Sequence, residues 1–392
     1  MNVLYVDATR GLYGASRMLL TLLSELDRRE VRPYVALSSD VDDGDLRLVK
    51  ALRSCRVPTL QYPLAVFRRG KYLNPRGALF MAGALVRSTR LLTRLIRKHD
   101  IHLVQSNTST VLSGALAARM AGVPHIWHVH EIFRPSDGRV LPALLDALAD
   151  RVVAISDAAA ASLMQYRPGL ASKLVTIKNG IDPEPFRNVT PAEVAHLRQE
   201  LGIEQDEMVV GMIGRIGMWK GEGNFIELAR SVAERIPGVK FVIAGGTFDR
   251  RDHLLHALRE QVRTAGLEGR VIVTGLRTDI HALLDLFDVL VHLPDRPEPF
   301  GLVVVEAMSA RKPVVTWAAG ALPEIVSNGE TGWVVPFGDI GAASERTTAL
   351  LADPVAAAHM GDLGSRRVNR EFTAARYASQ FLSIYLELAG QT

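Results

Sequence analysis

Short apolar runs alternate with longer amphipathic segments along the whole chain. The runs are continuously hydrophobic rather than alternating, which is typical of strands buried on both faces of a parallel sheet. The predicted strands are Asn2–Asp7, Tyr34–Ser38, His102–Gln105, His125–Val129, Val152–Ile155, Val209–Ile213, Val239–Ala244, Val271–Thr274, Val289–Leu293, Pro313–Thr316 and Trp333–Val335. Helical patterns between them include Ala15–Leu26, Ala78–Lys98 and Thr110–Ala121. The pattern predicts an α/β fold.

The pattern stops near the middle of the chain and then starts again. Asn179-Gly180 is a turn signal, and Pro183 and Pro185 follow it closely. The predicted organisation is a doubly wound, Rossmann-like unit over residues 1–182, a linker over 183–206, a second such unit over 207–370 and a terminal helix over 371–392. The terminal helix is expected to pack back on the first unit. Ligands of doubly wound sheets bind beyond the carboxyl ends of the strands, so the two units are expected to face an interdomain cleft.

Length and composition agree with two domains of ordinary size. The 392 residues exceed what one core usually holds, and they are 48% hydrophobic and 22% charged. The formal net charge of +4 gives no reason to expect nucleic acid as a partner. The single cysteine, Cys55, excludes an intrachain disulfide, and neither a secretory signal nor a membrane-spanning run is predicted. We therefore predict a cytoplasmic protein.

Two loops that follow predicted strands carry glycines and cations. Gly11 and Gly14 precede the first helix, where small residues let backbone N–H groups approach a ligand, but their spacing is not that of the dinucleotide-binding G-x-G-x-x-G. Arg215 and Lys220 follow Gly214 and suit a diphosphate at the next helix N-terminus. For each loop the alternative is an ordinary strand-to-helix turn with solvated side chains.

Three histidines, His125, His128 and His130, lie on and just after one predicted strand. His128 and His130 would share a face of that strand. A metal site is not predicted, because no Asp or Cys ligand set accompanies them. His128 is interpreted as a structural histidine, whereas His130 and Glu131 follow the strand at its carboxyl end, where the cleft is expected.

The stretch PEPFGLVVVEAM, Pro297–Met308, places two carboxylates around an apolar run. Its length up to Arg311 predicts a helix that starts near Phe300, with Glu298 in the loop before it and Glu306 about a turn and a half inside. A carboxylate has two acceptor oxygens and suits the vicinal hydroxyls of a ribose, while a helix N-terminus suits a diphosphate. We therefore hypothesise that this element binds a nucleotide sugar.

Several segments resemble, in order along most of the chain, the retaining GT-B glycosyltransferases of the large family 4. The matching segments are GLYGASRMLLTLLSEL, HVHE, AISD, VTIKNGID, GRIGMWKG, PEPFGLVVVEAMSARKPVV and AGALPEIVSNGETGWVVPFGD. Each is short, but their joint order is specific. The resemblance implies a GT-B fold and the transfer of a sugar from a nucleoside diphosphate sugar to an acceptor hydroxyl, with retention at the anomeric carbon.

The resemblance implies four catalytic residues. Arg215 and Lys220 would hold the diphosphate and stabilise the departing nucleotide, which replaces a metal ion, and no other cofactor is expected. Glu298 would lie at the hydroxyls of the donor sugar. His130 would contact that sugar near the reacting carbon.

The resemblance also implies a set of donor-binding positions. Glu306 would bind the ribose hydroxyls, and Gly14 would let the loop of the first unit approach the donor or the acceptor. Backbone N–H groups near the phosphate or the sugar would come from Phe300, Gly301 and Leu302. Two positions depart from the family pattern: Glu131 stands where Asp is usual, and Trp219 stands where proline or glutamate is common.

The expected partners follow from the same resemblance. The donor would be a UDP- or GDP-sugar, and the acceptor a sugar, a lipid-linked glycan or a small molecule, in the synthesis of cell-surface polysaccharide, lipopolysaccharide or lipid-linked glycans. The alternatives left open are a natural-product glycosyltransferase, a sugar-nucleotide epimerase of the same fold and a non-catalytic nucleotide-sugar binder. Residues 68–98 are rich in Arg and Lys. They are expected either to rest peripherally on the inner face of an anionic membrane or to form an ordinary solvated helix face.

Overall fold

The described part of the chain divides into two compact units. A computed structural model gives the fold of residues 1–39, 45–67, 75–134, 140–247 and 252–390. Residues 68–74, the start of the predicted membrane-binding segment, lie outside these ranges. The first unit comprises residues 1–180 and 374–390, and the second comprises residues 181–373.

The first unit is a parallel sheet with helices. Its strands are β1 (Asn2–Asp7), β2 (Arg32–Ser38), β3 (Thr59–Tyr62), β4 (Leu103–Ser106), β5 (His125–Val129), β6 (Arg151–Ala154) and β7 (Leu174–Thr176). Its helices are α1 (Gly14–Glu25), α2 (Arg47–Ser54), α3 (Pro75–Lys98), α4 (Leu112–Ala121), α5 (Val140–Leu148) and α6 (Asp157–Tyr166). The seven strands lie in the order β3-β2-β1-β4-β5-β6-β7, and all pairs are parallel. The strand order reverses between β1 and β4, which is where a doubly wound sheet opens its crevice.

The second unit repeats this topology. Its helices before the chain returns are α7 (Pro191–Leu201), α8 (Glu222–Arg235), α9 (Asp252–Thr264), α10 (Ile280–Leu286), α11 (Leu302–Ser309), α12 (Leu322–Ile325), α13 (Ile340–Ala352) and α14 (Pro354–Glu371). Its strands are β8 (Val209–Ile213), β9 (Lys240–Ala244), β10 (Val271–Gly275), β11 (Val289–His292), β12 (Val314–Trp317) and β13 (Trp333–Val335). These six parallel strands lie in the order β10-β9-β8-β11-β12-β13, so the reversal falls between β8 and β11.

The predicted α/β class with two doubly wound sheets is confirmed. Two strands, β3 and β7, were not predicted from the sequence. Both lie at the edges of the first sheet, where the residues are mostly half-buried rather than fully buried. An edge strand needs no continuous apolar run, so the hydrophobic pattern does not reveal it.

The boundaries of the units differ from the predicted ones. Residues 183–206, expected as a linker, belong to the second unit, where α7 packs on α10. The chain returns to the first unit with α15 (Ala374–Ala389), which packs on α1. The Tyr385 hydroxyl of α15 donates a hydrogen bond of 2.5 Å to Oε1 of Gln105 on β4. The last helix therefore packs on the first sheet beside α1.

Candidate active site

The loop between β8 and α8 places Lys220 at the carboxyl end of the second sheet. Gly221 has φ +87°, and a Cβ there would lie 1.8 Å from the carbonyl oxygen of Leu293, just after β11. Only glycine fits this close approach of the two loop backbones. Nζ of Lys220 lies 4.3 Å from the centre of the Trp219 ring. Trp219, which departs from the family pattern, thus holds the cation by a cation–π contact.

Glu298 is the partner of Lys220. Its two carboxylate oxygens accept hydrogen bonds of 3.1 and 2.8 Å from Nζ of Lys220, and the residue is only 5% exposed. Oε2 also lies 3.0 Å from Nε2 of His292. Burial alone would raise the pKa of Glu298, but the charge of Lys220 and the hydrogen bond from His292 outweigh it and lower the pKa to about 2. The carboxylate is therefore ionised at pH 7, and both of its oxygens accept hydrogen bonds.

His292 was not among the site residues predicted from the sequence. It ends β11 with 1% exposure, and its carbonyl oxygen accepts a hydrogen bond of 2.8 Å from the Thr316 hydroxyl on β12. Because the ionised Glu298 can only accept, Nε2 of His292 carries a proton. The signal available in the sequence was a histidine at the end of a buried strand, six residues before the glutamate.

The predicted helix after Pro299 is shorter than expected. It begins at Leu302 rather than near Phe300 and ends at Ser309, with Gly301 in a left-handed conformation at φ +102°. Glu306 consequently lies about one turn inside the helix rather than a turn and a half, and it is 3% exposed. The Phe300 side chain packs edge-on against Phe372, with ring centres 6.1 Å apart, so this residue can offer a ligand only its backbone.

The first unit has a second group of polar residues at the carboxyl edge of its sheet. Nε2 of His130 lies 3.2 Å from Nδ1 of His128, which lies 3.3 Å from Oδ1 of Asn107. Nδ2 of Asn107 donates to Oδ2 of Asp7 at 2.7 Å. Burial lowers the pKa of both imidazoles, that of His130 to about 3, so both are neutral at pH 7. Neither Asp7 nor Asn107 was predicted as a site residue.

Other predicted features of the first unit are placed as follows. His125 lies 2.9 Å from the Ser106 hydroxyl and does not join the other two histidines in a ligand set. Within the described residues, no group of three His, Cys, Asp or Glu side chains is arranged to hold a metal ion. A Cβ added at Gly14, the first residue of α1, would meet nothing within 4 Å. Oε2 of Glu131 accepts a hydrogen bond of 3.1 Å from the backbone N–H of His130.

Comparisons with known proteins identify the family. Residues 13–185 match the family described as Glycosyltransferase Family 4, and residues 194–367 match Glycosyl transferases group 1. Alpha-maltose-1-phosphate synthase of Mycobacterium tuberculosis is 30% identical over 307 residues, which are 72% of this chain and 78% of that enzyme. The chain belongs to the family 4 glycosyltransferases. The predicted enzyme class is thereby confirmed.

Two further comparisons concern the fold and the relatives of this glycosyltransferase. Crystal structures of the Anabaena protein HepE in complex with UDP and with UDP-glucose superpose with TM-scores of 0.83 and 0.82. Both are 26% identical in sequence and cover 99% of this chain. The match covers 100% of the HepE chain in the UDP complex and 99% of it in the UDP-glucose complex. The lipopolysaccharide core biosynthesis mannosyltransferase LpsB of Rhizobium meliloti is 29% identical over 54% of this chain and 60% of that protein. The fold of the glycosyltransferase is therefore GT-B.

The structure of this glycosyltransferase brings together some of the predicted residues within each unit. Lys220 and Glu298 are in contact, and His130 belongs to the histidine cluster of the first unit. Arg215 is half-buried in the same loop as Lys220. The roles assigned to these residues from the family resemblance, and those of Gly14, Glu306 and the start of α11, stay predictions.

The lowered pKa of Glu298 predicts a pH-dependent contribution to stability. Its folded pKa of about 2 lies below the reference value of 4.5, so the contribution is complete above pH 4.5 and is lost as the pH falls towards 2. The shift corresponds to roughly 3 kcal/mol. We expect Glu298→Gln to lower the free energy of unfolding by about 2–3 kcal/mol at pH 7 and by less than half of that at pH 3.

Urea unfolding at the two pH values, followed by tryptophan fluorescence, measures this difference. The matched control is Glu345→Gln, the same change at an exposed position of α13; it should leave stability within about 0.5 kcal/mol at both pH values. An equal loss at pH 7 and pH 3 for Glu298→Gln would contradict the assignment of a low pKa to this carboxylate.

Proposed function

We propose that this glycosyltransferase transfers a sugar from a nucleoside diphosphate sugar to an acceptor hydroxyl, with retention at the anomeric carbon. The observation that carries the proposal is the Lys220–Glu298–His292 cluster at the carboxyl edge of the second sheet. It combines a fixed cation for a diphosphate with a buried carboxylate for sugar hydroxyls. The similar protein HepE has been crystallised with UDP and with UDP-glucose, which supports the choice of donor.

The diphosphate is bound without a metal ion in this proposal. Arg215 and Lys220 follow β8, and both cations face developing negative charge when the nucleotide leaves. The backbone N–H groups of the first residue of α11 and of the two residues before it have no carbonyl partner within the helix, so they can serve a phosphate oxygen or a sugar. Phe300, Gly301 and Leu302 would present these groups. Glu306 on the same helix would bind the ribose hydroxyls.

Glu298 is suited to binding rather than to taking up a proton. Its pKa of about 2 makes it a weak base, and its oxygens already accept from Lys220 and His292. We therefore assign it to the hydroxyls of the donor sugar and His130 to the region of the reacting carbon. The reaction proceeds on one face of the sugar: the bond from the anomeric carbon to the phosphate oxygen breaks, the acceptor oxygen bonds to that carbon, and its proton passes to the leaving phosphate.

The proposed acceptor belongs to a cell-surface polysaccharide, a lipopolysaccharide or a lipid-linked glycan. The relative LpsB is named as a lipopolysaccharide core mannosyltransferase, which supports this class of acceptor. The surface of α3 adds a second support. Leu79, Phe80 and Val86 are 76%, 66% and 49% exposed, and Arg87, Arg90 and Arg94 are also exposed. By helical periodicity all of them share one face of α3, which is apolar at its N-terminal end and basic towards its C-terminal end.

Such a face suits a peripheral attachment to an anionic membrane. Among the described residues, no helix has both the length and the apolar composition that crossing a bilayer requires. We propose that α3 rests on the membrane at the cytoplasmic face.

Nucleotide binding should depend on Glu306 through the ribose. In a thermal-shift screen of UDP, GDP and ADP, we expect one nucleotide to stabilise the protein, by about 3 kcal/mol at a concentration one hundred times its dissociation constant. The 2′-deoxy form of that nucleotide should give a smaller shift. Glu306→Ala should abolish the difference between the two forms, whereas Glu298→Ala should retain it. Equal discrimination in both variants would mean that the two roles are wrongly assigned.

Turnover should proceed without metal and with retention. With the donor identified by the screen and a panel of acceptors, we expect acceptor-dependent release of nucleotide that is unchanged by EDTA. The anomeric coupling in the product's NMR spectrum should match that of the donor. Lys220→Met should lower kcat by about 10²–10³, because it removes charge stabilisation of the leaving group.

Other outcomes of the same assay separate the alternatives. An inverted product, or a glycosyl–enzyme adduct seen by mass spectrometry, would contradict the same-face reaction. Free epimerised sugar would indicate an epimerase.

Membrane attachment through α3 should be electrostatic in part. Sedimentation with phosphatidylglycerol-containing liposomes should carry down the protein at low salt and less of it as salt rises. Phe80→Ser and Arg94→Glu should each weaken sedimentation. Arg230→Glu, the same charge change on the exposed side of α8, is the matched control and should not. Equal loss with Arg94→Glu and Arg230→Glu would show that α3 has no special part in attachment.

A further inference from the structure

The buried side chain of Asn107 links three strand ends of the first sheet. It follows β4, is 0% exposed and has neighbours from β1, from β5 and from α1. Its Nδ2 donates twice, to Oδ2 of Asp7 at 2.7 Å and to the carbonyl oxygen of Ala15 at 3.1 Å. Its Oδ1 lies 3.3 Å from Nδ1 of His128. The catalytic roles discussed above use neither Asn107 nor Asp7.

These contacts leave one orientation for the amide of Asn107. The carbonyl oxygen of Ala15 can only accept a hydrogen bond, so the nitrogen of the amide must face it. Burial raises the pKa of Asp7 to about 6, so at pH 7 this carboxylate is mostly ionised and also acts as an acceptor. Rotating the amide by 180° would place its oxygen against both acceptors. Oδ1 of Asn107 therefore faces His128.

The orientation of the amide in turn determines the protons of both imidazoles. Since Oδ1 of Asn107 accepts, Nδ1 of His128 carries the proton of that neutral ring. The same N–H lies 3.2 Å from Nε2 of His130, which must then be an acceptor without a proton. Neutral His130 consequently carries its own proton on Nδ1.

The surroundings of the other nitrogen of His128 agree with this assignment. Nε2 of His128 is buried without a hydrogen-bond partner among the described residues, and the imidazole packs against the Phe381 ring of α15 in a T-shaped arrangement with ring centres 5.0 Å apart. An N–H group buried there would lack an acceptor, and leaving a buried donor unsatisfied is costly. The proton on Nδ1 avoids that cost.

We propose that Asn107 is a positioning residue that holds His130 in the Nδ1–H tautomer. The inference rests on the proposed function, because Asn107 matters for turnover only if His130 contacts the donor sugar as proposed. In this tautomer His130 can donate a hydrogen bond from Nδ1 to an oxygen of the substrate. Its Nε2 is engaged by His128 and is not available to take the proton of the acceptor hydroxyl. With His130 held in this tautomer, the proton of the acceptor hydroxyl passes to the departing phosphate.

The tautomer is measurable on the unmodified protein. With histidines labelled with ¹⁵N, long-range ¹⁵N–¹H correlation spectra distinguish a protonated ring nitrogen from one with a free lone pair. We expect Nδ1 to be protonated in both His128 and His130, with the His130 signals assigned from a His130→Gln sample. A proton on Nε2 of His130 would overturn the proposal, and this measurement requires no substrate.

Variants test the effect on turnover. Asn107→Leu keeps the size of the side chain and removes its acceptor, and we expect a mixture of His130 tautomers and a fall in kcat of about tenfold to a hundredfold. The KM for the donor should change by no more than about threefold, because the nucleotide contacts proposed above lie in the second unit. Asn107→Asp keeps an oxygen for His128 but sets acceptors against Ala15 and Asp7, so it should not restore wild-type turnover.

A matched control separates positioning from stability. Gln105→Leu removes another buried amide, on β4 two residues before Asn107; it accepts from Tyr385 and has no hydrogen bond to either imidazole. It should lower thermal stability while leaving the His130 tautomer and kcat unchanged. In a His130→Ala background, Asn107→Leu should have little further effect on kcat.

Two results would overturn the positioning role of Asn107. An effect of Asn107→Leu that persists in full without His130, or a loss of turnover in Gln105→Leu equal to that in Asn107→Leu, would show that Asn107 only stabilises the fold. If the wild-type protein transfers no sugar from any donor, the proposed function fails, while the spectra still decide the tautomer.

Discussion

Buried polar side chains at the strand ends of the two sheets need hydrogen-bond or ion-pair partners, because helices cover the central strands on both faces. A strand covered on both faces offers no water, so an unpaired polar group there costs several kcal/mol. Parallel strands end together at one edge of the sheet, and side chains from distant parts of the chain meet there. In the second unit this brings Glu298 to Lys220, after β8, and to His292 at the end of β11. In the first unit it brings Asp7 at the end of β1 to Asn107 after β4.

The carboxyl edges of the two sheets stabilise their buried polar side chains in different ways. At the second sheet the groups stay charged, because the attraction of Lys220 for Glu298 outweighs the cost of burying the carboxylate. At the first sheet the imidazoles of His128 and His130 are neutral, because burial disfavours their charged form. The ion pair at the second sheet can exchange partners with a charged ligand, whereas the hydrogen bonds that link Asn107 to His128 and His128 to His130 fix which ring nitrogens carry protons. This division is in keeping with the phosphate site proposed for the second unit and the ordering of protons proposed for the first.

The departures from the family pattern have physical explanations in the structure. Trp219 replaces the usual residue before Lys220 and places its ring beside the ammonium group, which limits where that flexible side chain can point. Glu131 turns back to accept from the backbone N–H of His130. Both residues act on the neighbour that carries the proposed chemistry, and both contacts depend on side-chain direction rather than on sequence spacing.

The sequence by itself determined the α/β class, the repeat of a doubly wound unit and the family, since continuous apolar runs and ordered short motifs are local features. It also singled out Lys220 and Glu298, because a cation in a glycine loop and a carboxylate before a helix are unusual enough to notice. Only the tertiary structure decided that these two residues form a pair, that His292 joins them, and that Asn107 orders the histidines. Residues 100 positions apart, such as Asp7 and Asn107, meet only through strand order, and no local pattern encodes that meeting. The edge strands β3 and β7 and the place of residues 183–206 in the second unit depended on the same long-range packing.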